Sequence, residues 1–491
     1  MLGQIWSGFY TAMCYIFEHL VFFNIVFAII IIFFQRREPK TVWTWLLLLY
    51  FIPVMGFVLY LLIGTDMRKR KMFRMKEIED KLGVVIRRQE SRIRNEEYKK
   101  DTPDMECFSD LVMYNLDTTG AVVTDNNDID IYVDGNAKFE ALIEDIRNAK
   151  EFIHMQYYIL KDDVLFQRIR KELLEKTAQG VEVRILFDAM GCRCVGREHW
   201  KGLEKEGVKI AEFFPAIFKR LHLRINYRNH RKIVVIDNKV GYVGGFNIGK
   251  EYIGLDTKIG YWRDTHLRIC GEGVQGLALR FLLDWNYAAK ENLFSSPKYM
   301  AGFQAGKRDM ARMQIIYSGP DTSRQSVRDN YLSLINKAEK NIYIQTPYFI
   351  PDESMYSALM LAIHSGVEVN LMIPCKPDHL FVYWATYSYM GDLIMEGANC
   401  YIYTNGFLHA KGLICDNKAF CYGTANMDIR SFCLNFEVNA TVYDEVKTRE
   451  MIAQFHEDLK KCVQVSRQMY MERPIMIRFK EQISRLLSPL L

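Results

Sequence analysis

Two stretches of the chain place the same reactive groups at the same spacing. In NHRKIVVIDNK, residues 229–239, His230 and Lys232 stand two apart, and four apolar residues lead on to Asp237. In LHAKGLICDNK, residues 408–418, His409, Lys411 and Asp416 repeat the arrangement. Each aspartate is followed at the same distance by a small pair, Gly244-Gly245 or Gly423-Thr424, and then by an asparagine, Asn247 or Asn426. A lone His-x-Lys is more often a surface pair than a reactive one. An identical double pattern is much harder to explain by structure alone.

Side chains alternate faces along a strand, so His230 and Lys232 share one face, as do His409 and Lys411. Each histidine can serve as nucleophile or as general acid and base, because imidazole titrates near neutrality. Two lysines and two amides converging on one point supply positive charge and neutral donors without a metal cluster, which suits a phosphodiester. His230, Lys232, Asp237, His409, Lys411 and Asp416 therefore form the candidate catalytic set, with Asn247, Asn426, Gly245 and Thr424 beside the substrate. Asp237 and Asp416 have the opposite parity and open Asp-Asn turns, so they are expected to shape the turn and brace the site. Asp264 in YWRDTHLRI and Glu437 in RSFCLNFEV are expected to hold the second ring nitrogens and fix the tautomer.

These groups need strands to carry them. Beyond about residue 120 apolar strand-like runs alternate with helical patterns, which predicts an α/β body. AKEFIHMQYYI at 149–159 matches AEKNIYIQTPYFI at 338–350, and GVEVRILF at 180–187 matches GVEVNLMI at 366–373. The offsets are 189 from Gln156 to Gln345, 186 from Val181 to Val367 and 179 from His230 to His409. A period this long marks a duplicated domain and not a solenoid. Pairing the copies would bring equivalent strands together at a shared cleft. The remaining histidines, His154, His199, His222, His266, His364 and His456, are read as packing or surface residues, and His379 as a residue near the cleft mouth.

The chain divides by composition into residues 1–66, 67–115, 116–295 and 296–491. Residues 41–64 hold no charge over 24 positions, and residues 20–34 are charge-free over 15. About 20 residues cross a bilayer core, so a transmembrane helical hairpin is expected, with Pro53 and Gly56 allowing a re-entrant form instead. RKRKMFRMK at 68–76 carries six positive charges and no negative one, which places that flank on the cytoplasmic side. The region to residue 115 reads as a basic juxtamembrane linker or helix. The aromatic run at 211–227 and the basic C-terminal stretch at 473–491 are further candidates for the membrane surface.

The net charge of +5, from 64 basic and 59 acidic residues, is too mild to specify a polyanionic partner. Eleven cysteines, several in apolar strand-like runs, point to a reduced protein, with Cys192 and Cys194 structural.

The doubled His-x-Lys-x4-Asp pattern resembles the phospholipase D superfamily. The segments NYRNHRKIVVID, GGFNIGKEY, WRDTHLRI, SGPD, TPYFIPDE, LHAKGLICD, DIRSFCLNFE and the closing RLLSPLL, with the N-terminal apolar hairpin, are similar to bacterial cardiolipin synthases over nearly the whole chain. The resemblance implies two pseudo-symmetric phospholipase D-like domains around one active site, and no cofactor or metal. It implies transfer of a phosphatidyl group between two phosphatidylglycerol molecules, through a phosphatidyl-histidine on His230 with His409 as acid and base. It also implies a multi-pass protein of the bacterial inner membrane with cytoplasmic catalytic domains, contacting anionic lipids and no nucleic acid, as a possible homo-oligomer. A phospholipase D hydrolase, a transferase using another alcohol, a nuclease of the superfamily and a non-enzymatic membrane scaffold are the alternatives.

Overall fold

The computed structural model describes residues 103–215, 226–322 and 324–488, together with 15, 19, 22–29, 31–32, 39–56, 60, 87–91 and 93. The chain forms two compact units, residues 1–70 with 216–227, and residues 71–215 with 228–491. Both copies of the repeat lie in the second.

In the first unit a helix runs over Pro39–Phe51. It stops there because Pro53 disfavours helical backbone at Ile52 and offers no N–H to the carbonyl of Leu49. The buried Asn24 fills that gap, its Nδ2 donating to Leu49 O at 3.2 Å and to Pro53 O at 3.1 Å. Parts of both expected spans, the basic run at 68–76 and residues 216–225 of the aromatic run lie outside the described residues. Among the described residues no helix is long and apolar enough to cross a membrane.

In the second unit each copy builds half of a continuous sheet. Lys209–Phe213, Glu182–Asp188 and Phe152–Tyr157 run parallel, and then Ile233–Ile236, Val240–Gly244, Trp262–Gly271 and Thr124–Asp134 follow antiparallel. The second copy repeats this with Asn399–Tyr403, Glu368–Pro374 and Asn341–Gln345, then Gly412–Cys415, Ala419–Gly423, Asn435–Tyr443 and Ala311–Ser318. Thr124–Asp134 pairs with Ala311–Ser318 and joins the halves. The inner strands are buried on both faces, which explains why they read as unbroken apolar runs.

Helices start where the sequence supplies a carboxylate cap. Asp134, Asp163, Asp352 and Asp444 each accept from a first-turn N–H of the helix that follows. The apolar faces of those helices close two cores, one per copy. Ile153, Val183 and Val234 in the first core correspond to Ile342, Val369 and Leu413 in the second.

Two short pairings then exchange strands across the duplication. Arg228–Asn229 of the first copy runs parallel to Asn435 and Phe436 of the second. Phe407–Leu408 of the second runs parallel to Trp262 and Arg263 of the first. Each histidine motif thereby begins beside the other copy's carboxylate-bearing strand.

Candidate active site

His230 and His409 follow those exchanged segments, and their backbone N–H groups donate across the duplication to Phe436 O at 3.0 Å and Arg263 O at 2.7 Å. The ring contacts are crossed as well. His230 Nδ1 lies 3.0 Å from both carboxylate oxygens of Glu437. His409 Nδ1 lies 2.5 Å from Asp264 Oδ2. Both carboxylates are fully buried, and the histidines keep only 9% and 8% of their surface. With its Nδ1 proton given to a carboxylate, each ring presents Nε2 as the basic nitrogen.

The lysines stand under the rings. Lys232 Nζ donates to His230 O at 2.7 Å, and Lys411 Nζ donates to His409 O and sits 2.7 Å from His409 Nδ1. Since Nδ1 carries one proton, directed at Asp264, the Lys411 bond is the one to the carbonyl. Burial is the main cause that lowers Lys232 to about 7 and Lys411 to about 8. It likewise lowers His230, and with the charge of Lys411 it brings His409 down to about 4. Two lysines and two imidazoles crowded into a buried cleft are what a phosphodiester anion would relieve.

Asp237 and Asp416 lie outside this cluster. The carboxylate of Asp237 accepts the N–H groups of Lys150, Glu151 and Phe152 at 2.7–2.8 Å, and Asp416 those of Glu339, Lys340 and Asn341 at 2.9–3.1 Å. Asp237 and Asn238 take positive φ of 52° and 54°, as a tight hairpin requires, and Asp416 takes 50°. Both aspartates brace the strand behind the site.

The small pair serves the protein more than a ligand. A Cβ on Gly245 would stand 1.9 Å from Asp264 Oδ1, so that position must be bare for the carboxylate to reach His409. Thr424 fills the equivalent position and donates its hydroxyl to Glu437 Oε2 at 2.5 Å. Asn247 holds the fold locally, accepting from Ile159 N and donating to Tyr252 OH, both at 3.0 Å. Asn426 bonds Asp428, and its Oδ1 is buried without a partner among the described residues. The open atom is an acceptor, suited to a hydroxyl donor and not to a phosphate oxygen.

Several supporting groups were not legible as site residues. The Tyr158 ring meets His230 edge-on at 4.9 Å, and Trp262 stands 4.9 Å from His409. Behind the site Gln156 donates to Asp284 at 2.7 Å, and Arg231 pairs with the same aspartate at 2.7–2.8 Å while donating to Glu437 O at 3.1 Å. In the second copy Gln345 donates to Asp458 at 2.9 Å, and Arg263 reaches Asp458 across the duplication at 2.6 Å. The Gln156–Gln345 match was visible in the repeat, but nothing in it pointed to the aspartates on distant helices.

Among the other described histidines, His154 and His266 are buried packing groups and the rest are partly or fully exposed. His154 stacks on Phe281, His199 pairs with Asp162, His364 with Glu396, and His456 meets the edge of Tyr343. His266 is buried, and His222 lies outside the described residues. His379 is exposed on the loop beside Asp378, which accepts from Tyr348 and whose charge acts on Lys411. Cys192 is buried with its sulfur accepting from Leu160 N at 3.2 Å, and Cys194 is exposed.

A duplicated α/β fold with two crossed His–carboxylate pairs and two lysines defines a phospholipase D-like cleft. The family model described as "Cardiolipin synthase, PLD-like domain" matches residues 142–262 and 331–461, and one described as "Phospholipase_D-nuclease N-terminal" matches 22–64. The chain belongs to the cardiolipin synthase family of phospholipase D-like proteins. It is 47% identical over 470 residues to a cardiolipin synthase of Oceanobacillus iheyensis, covering 95% of this chain and 97% of that one. It is 44% identical to the major cardiolipin synthase ClsA of Bacillus subtilis, with the same coverage. In fold it is similar to the crystal structure of a phosphatidylserine synthase from Haemophilus influenzae, with TM-score 0.57 and 16% identity, covering 78% of this chain and 96% of that chain.

Proposed function

We propose that this protein is a cardiolipin synthase that joins two phosphatidylglycerol molecules and releases glycerol. The observation that carries the chemistry is the crossed pairing of His230 with Glu437 and His409 with Asp264. Membership of the family supports the lipid substrate.

Nε2 of His230 attacks the phosphorus of one phosphatidylglycerol, and the bond to the glycerol oxygen breaks. His409, having taken a proton on Nε2 once the bound phosphate anion offsets the neighbouring lysine charge, gives that proton to the glycerol oxygen, leaving a phosphatidyl-histidine. The terminal hydroxyl of a second phosphatidylglycerol then passes its proton to His409 and attacks phosphorus, which frees His230. Glu437 suits the nucleophile's role, because Thr424 and Asn435 also donate to it and hold it still. His409 suits proton exchange, because burial and the charge of Lys411 hold its basicity down and a bound phosphate anion offsets that charge. Lys232 and Lys411 stabilise charge on the non-bridging oxygens.

The exchange of one phosphodiester for another has little intrinsic driving force, and water would divert the intermediate to hydrolysis. Both histidines being nine-tenths buried favours the lipid alcohol over water. The N-terminal segment is read as a membrane hairpin of the bacterial inner membrane, with the catalytic unit on the cytoplasmic side. In hydrocarbon a carbonyl freed by proline is costly unless another group satisfies it. Asn24 does this for Leu49.

The test is incubation of the purified protein with labelled phosphatidylglycerol alone, in the presence of chelator. Cardiolipin and glycerol in equal amounts, lost in His230→Ala and in His409→Ala, are the expected products. Phosphatidic acid as the main product would make the protein a hydrolase, and no product would redirect the search to other alcohol acceptors.

A further inference from the structure

The last long helix, Ile475–Leu486, is turned inside out. Of its side chains, Glu481 and Ser484 are the buried ones. Glu481 is fully enclosed, bonded to Arg473 at 2.7 Å through both oxygens and approached by Tyr470 OH at 3.3 Å. The apolar residues face outward instead, with Ile475 78%, Phe479 61% and Leu486 77% exposed, joined by Met476 and Ile483. At about 100° per residue these five fall within a stripe some 100° wide, the width that helices ordinarily bury. Here polar contacts hold the helix to the body and leave that stripe unused.

Its position is fixed by polar anchors. Lys480 Nζ lies 5.1 Å from the Trp384 ring, and Arg485 pairs with Asp392 at 2.7 Å and stacks on Tyr389 at 4.4 Å. Residues 480 and 485 meeting 384 and 389–392 in that order make this helix run alongside Leu380–Glu396 in the same direction. Its first turn therefore points toward Leu380 and Phe381, which are 65% and 53% exposed. Those two open the helix that follows Asp378, whose charge acts on Lys411 in the cleft. The apolar stripe thus leads toward the mouth of the active site.

Around the helix Arg478 stands on one border of the stripe and Lys480 on the other, about 90–110° from its centre. An outward apolar face bordered by cations matches the interfacial zone of an anionic bilayer, with the stripe among the acyl chains and the basic heads among the phosphates.

Resting on the phosphatidyl-transfer reading for its purpose, we propose that the face formed by Ile475, Met476, Phe479, Ile483 and Leu486 docks the catalytic unit onto anionic phospholipid, setting the cleft at headgroup level. This contact is additional to the N-terminal segment. It supplies orientation where a tether supplies only proximity.

The test uses the full chain reconstituted in vesicles of phosphatidylglycerol and phosphatidylcholine. In Phe479→Trp, the added indole emission should lose about half or more of its intensity when the phosphatidylcholine carries brominated acyl chains, which quench only at membrane depth. No quenching beyond that of the parent protein would overturn the proposal and leave the face to a second copy or another segment of the chain. The paired variant Ile475→Glu with Phe479→Glu should lose about 10-fold of its turnover on vesicle phosphatidylglycerol and less than about 2-fold on a dispersed short-chain phosphatidylglycerol. Equal losses on both substrates would mark the face as structural and sink the idea. If the parent protein turned over neither substrate, the transferase reading would fall, and the quenching would still decide the docking.

Discussion

The two copies of the repeat look interchangeable in the motif and differ in how they hold it. On the His230 side a glutamate reaches the ring, and its carboxylate is filled out by Thr424 and Asn435. On the His409 side a shorter aspartate reaches the ring across a bare glycine, with Trp262 at 3.5 Å and the backbone N–H of Thr265 as its other donors. Both lysines donate to the carbonyl of their own histidine, and Lys411 also lies 2.7 Å from the His409 ring nitrogen. Duplication supplied two equal imidazoles. Divergence around them gives the two rings different carboxylates and different neighbours, and the proposed separate roles draw on that difference.

The largest expected effect tests those roles directly. Replacing either histidine by asparagine should cost about 10^4-fold in cardiolipin formation. With a phosphatidyl donor whose leaving group needs no proton, His409→Asn should still accumulate a covalent phosphatidyl adduct on His230, detected by intact-protein mass. An adduct on His409 in the His230→Asn protein, with none in the reverse variant, would exchange the assignments.

A smaller effect should separate the two carboxylates. Gly245→Ala puts a methyl where Asp264 Oδ1 stands and should lower turnover by about 10^2-fold, as loss of an orienting partner does. Thr424→Gly at the matching position leaves Glu437 on His230 and removes the hydroxyl's bonds to Glu437 and from Val438 N, at about 2 kcal/mol of stability and less than about 10-fold in rate. Equal losses at the two positions would mean that the asymmetry is decorative.

The mildest test is the pH profile. The lysines act as cations, and burial holds Lys232 near about 7 and Lys411 near about 8, below their usual range. Lower pH keeps both charged, so kcat/KM should fall as pH rises through 7 to 8. Lys411→Arg stays charged and should carry the Lys411 part of that decline to higher pH. A profile flat to pH 9 would show that the lysines keep ordinary basicity in the free protein.

Much of this arrangement was readable in the residues. The repeat, the His-x-Lys face and the aspartate turns depend on local spacing, which a sequence displays openly. Asp264 and Glu437 were found as carboxylates that could orient the rings, but not as exchanged partners, because a sequence lists both copies without saying which strand crosses. Gly245 was read as room for a ligand, and the room is occupied by Asp264. Asn247 looked like a donor to substrate, and its amide is spent on Ile159 and Tyr252. Arg231, Arg263, Asp284 and Asp458 escaped notice because buried ion pairs join residues 53 to 195 positions apart. Such pairs leave no periodic trace, yet breaking one typically costs about 3–5 kcal/mol.

The exchange of carboxylates has a consequence for the making of the molecule. A ribosome that has delivered the first copy has produced His230 without Glu437, and Asp264 without the ring it serves. On the proposed mechanism no lipid is attacked until the strand bearing Glu437 emerges, and a chain clipped between the copies is silent unless its fragments stay together. On that reading, reactivity toward lipid is withheld by topology until synthesis is nearly complete.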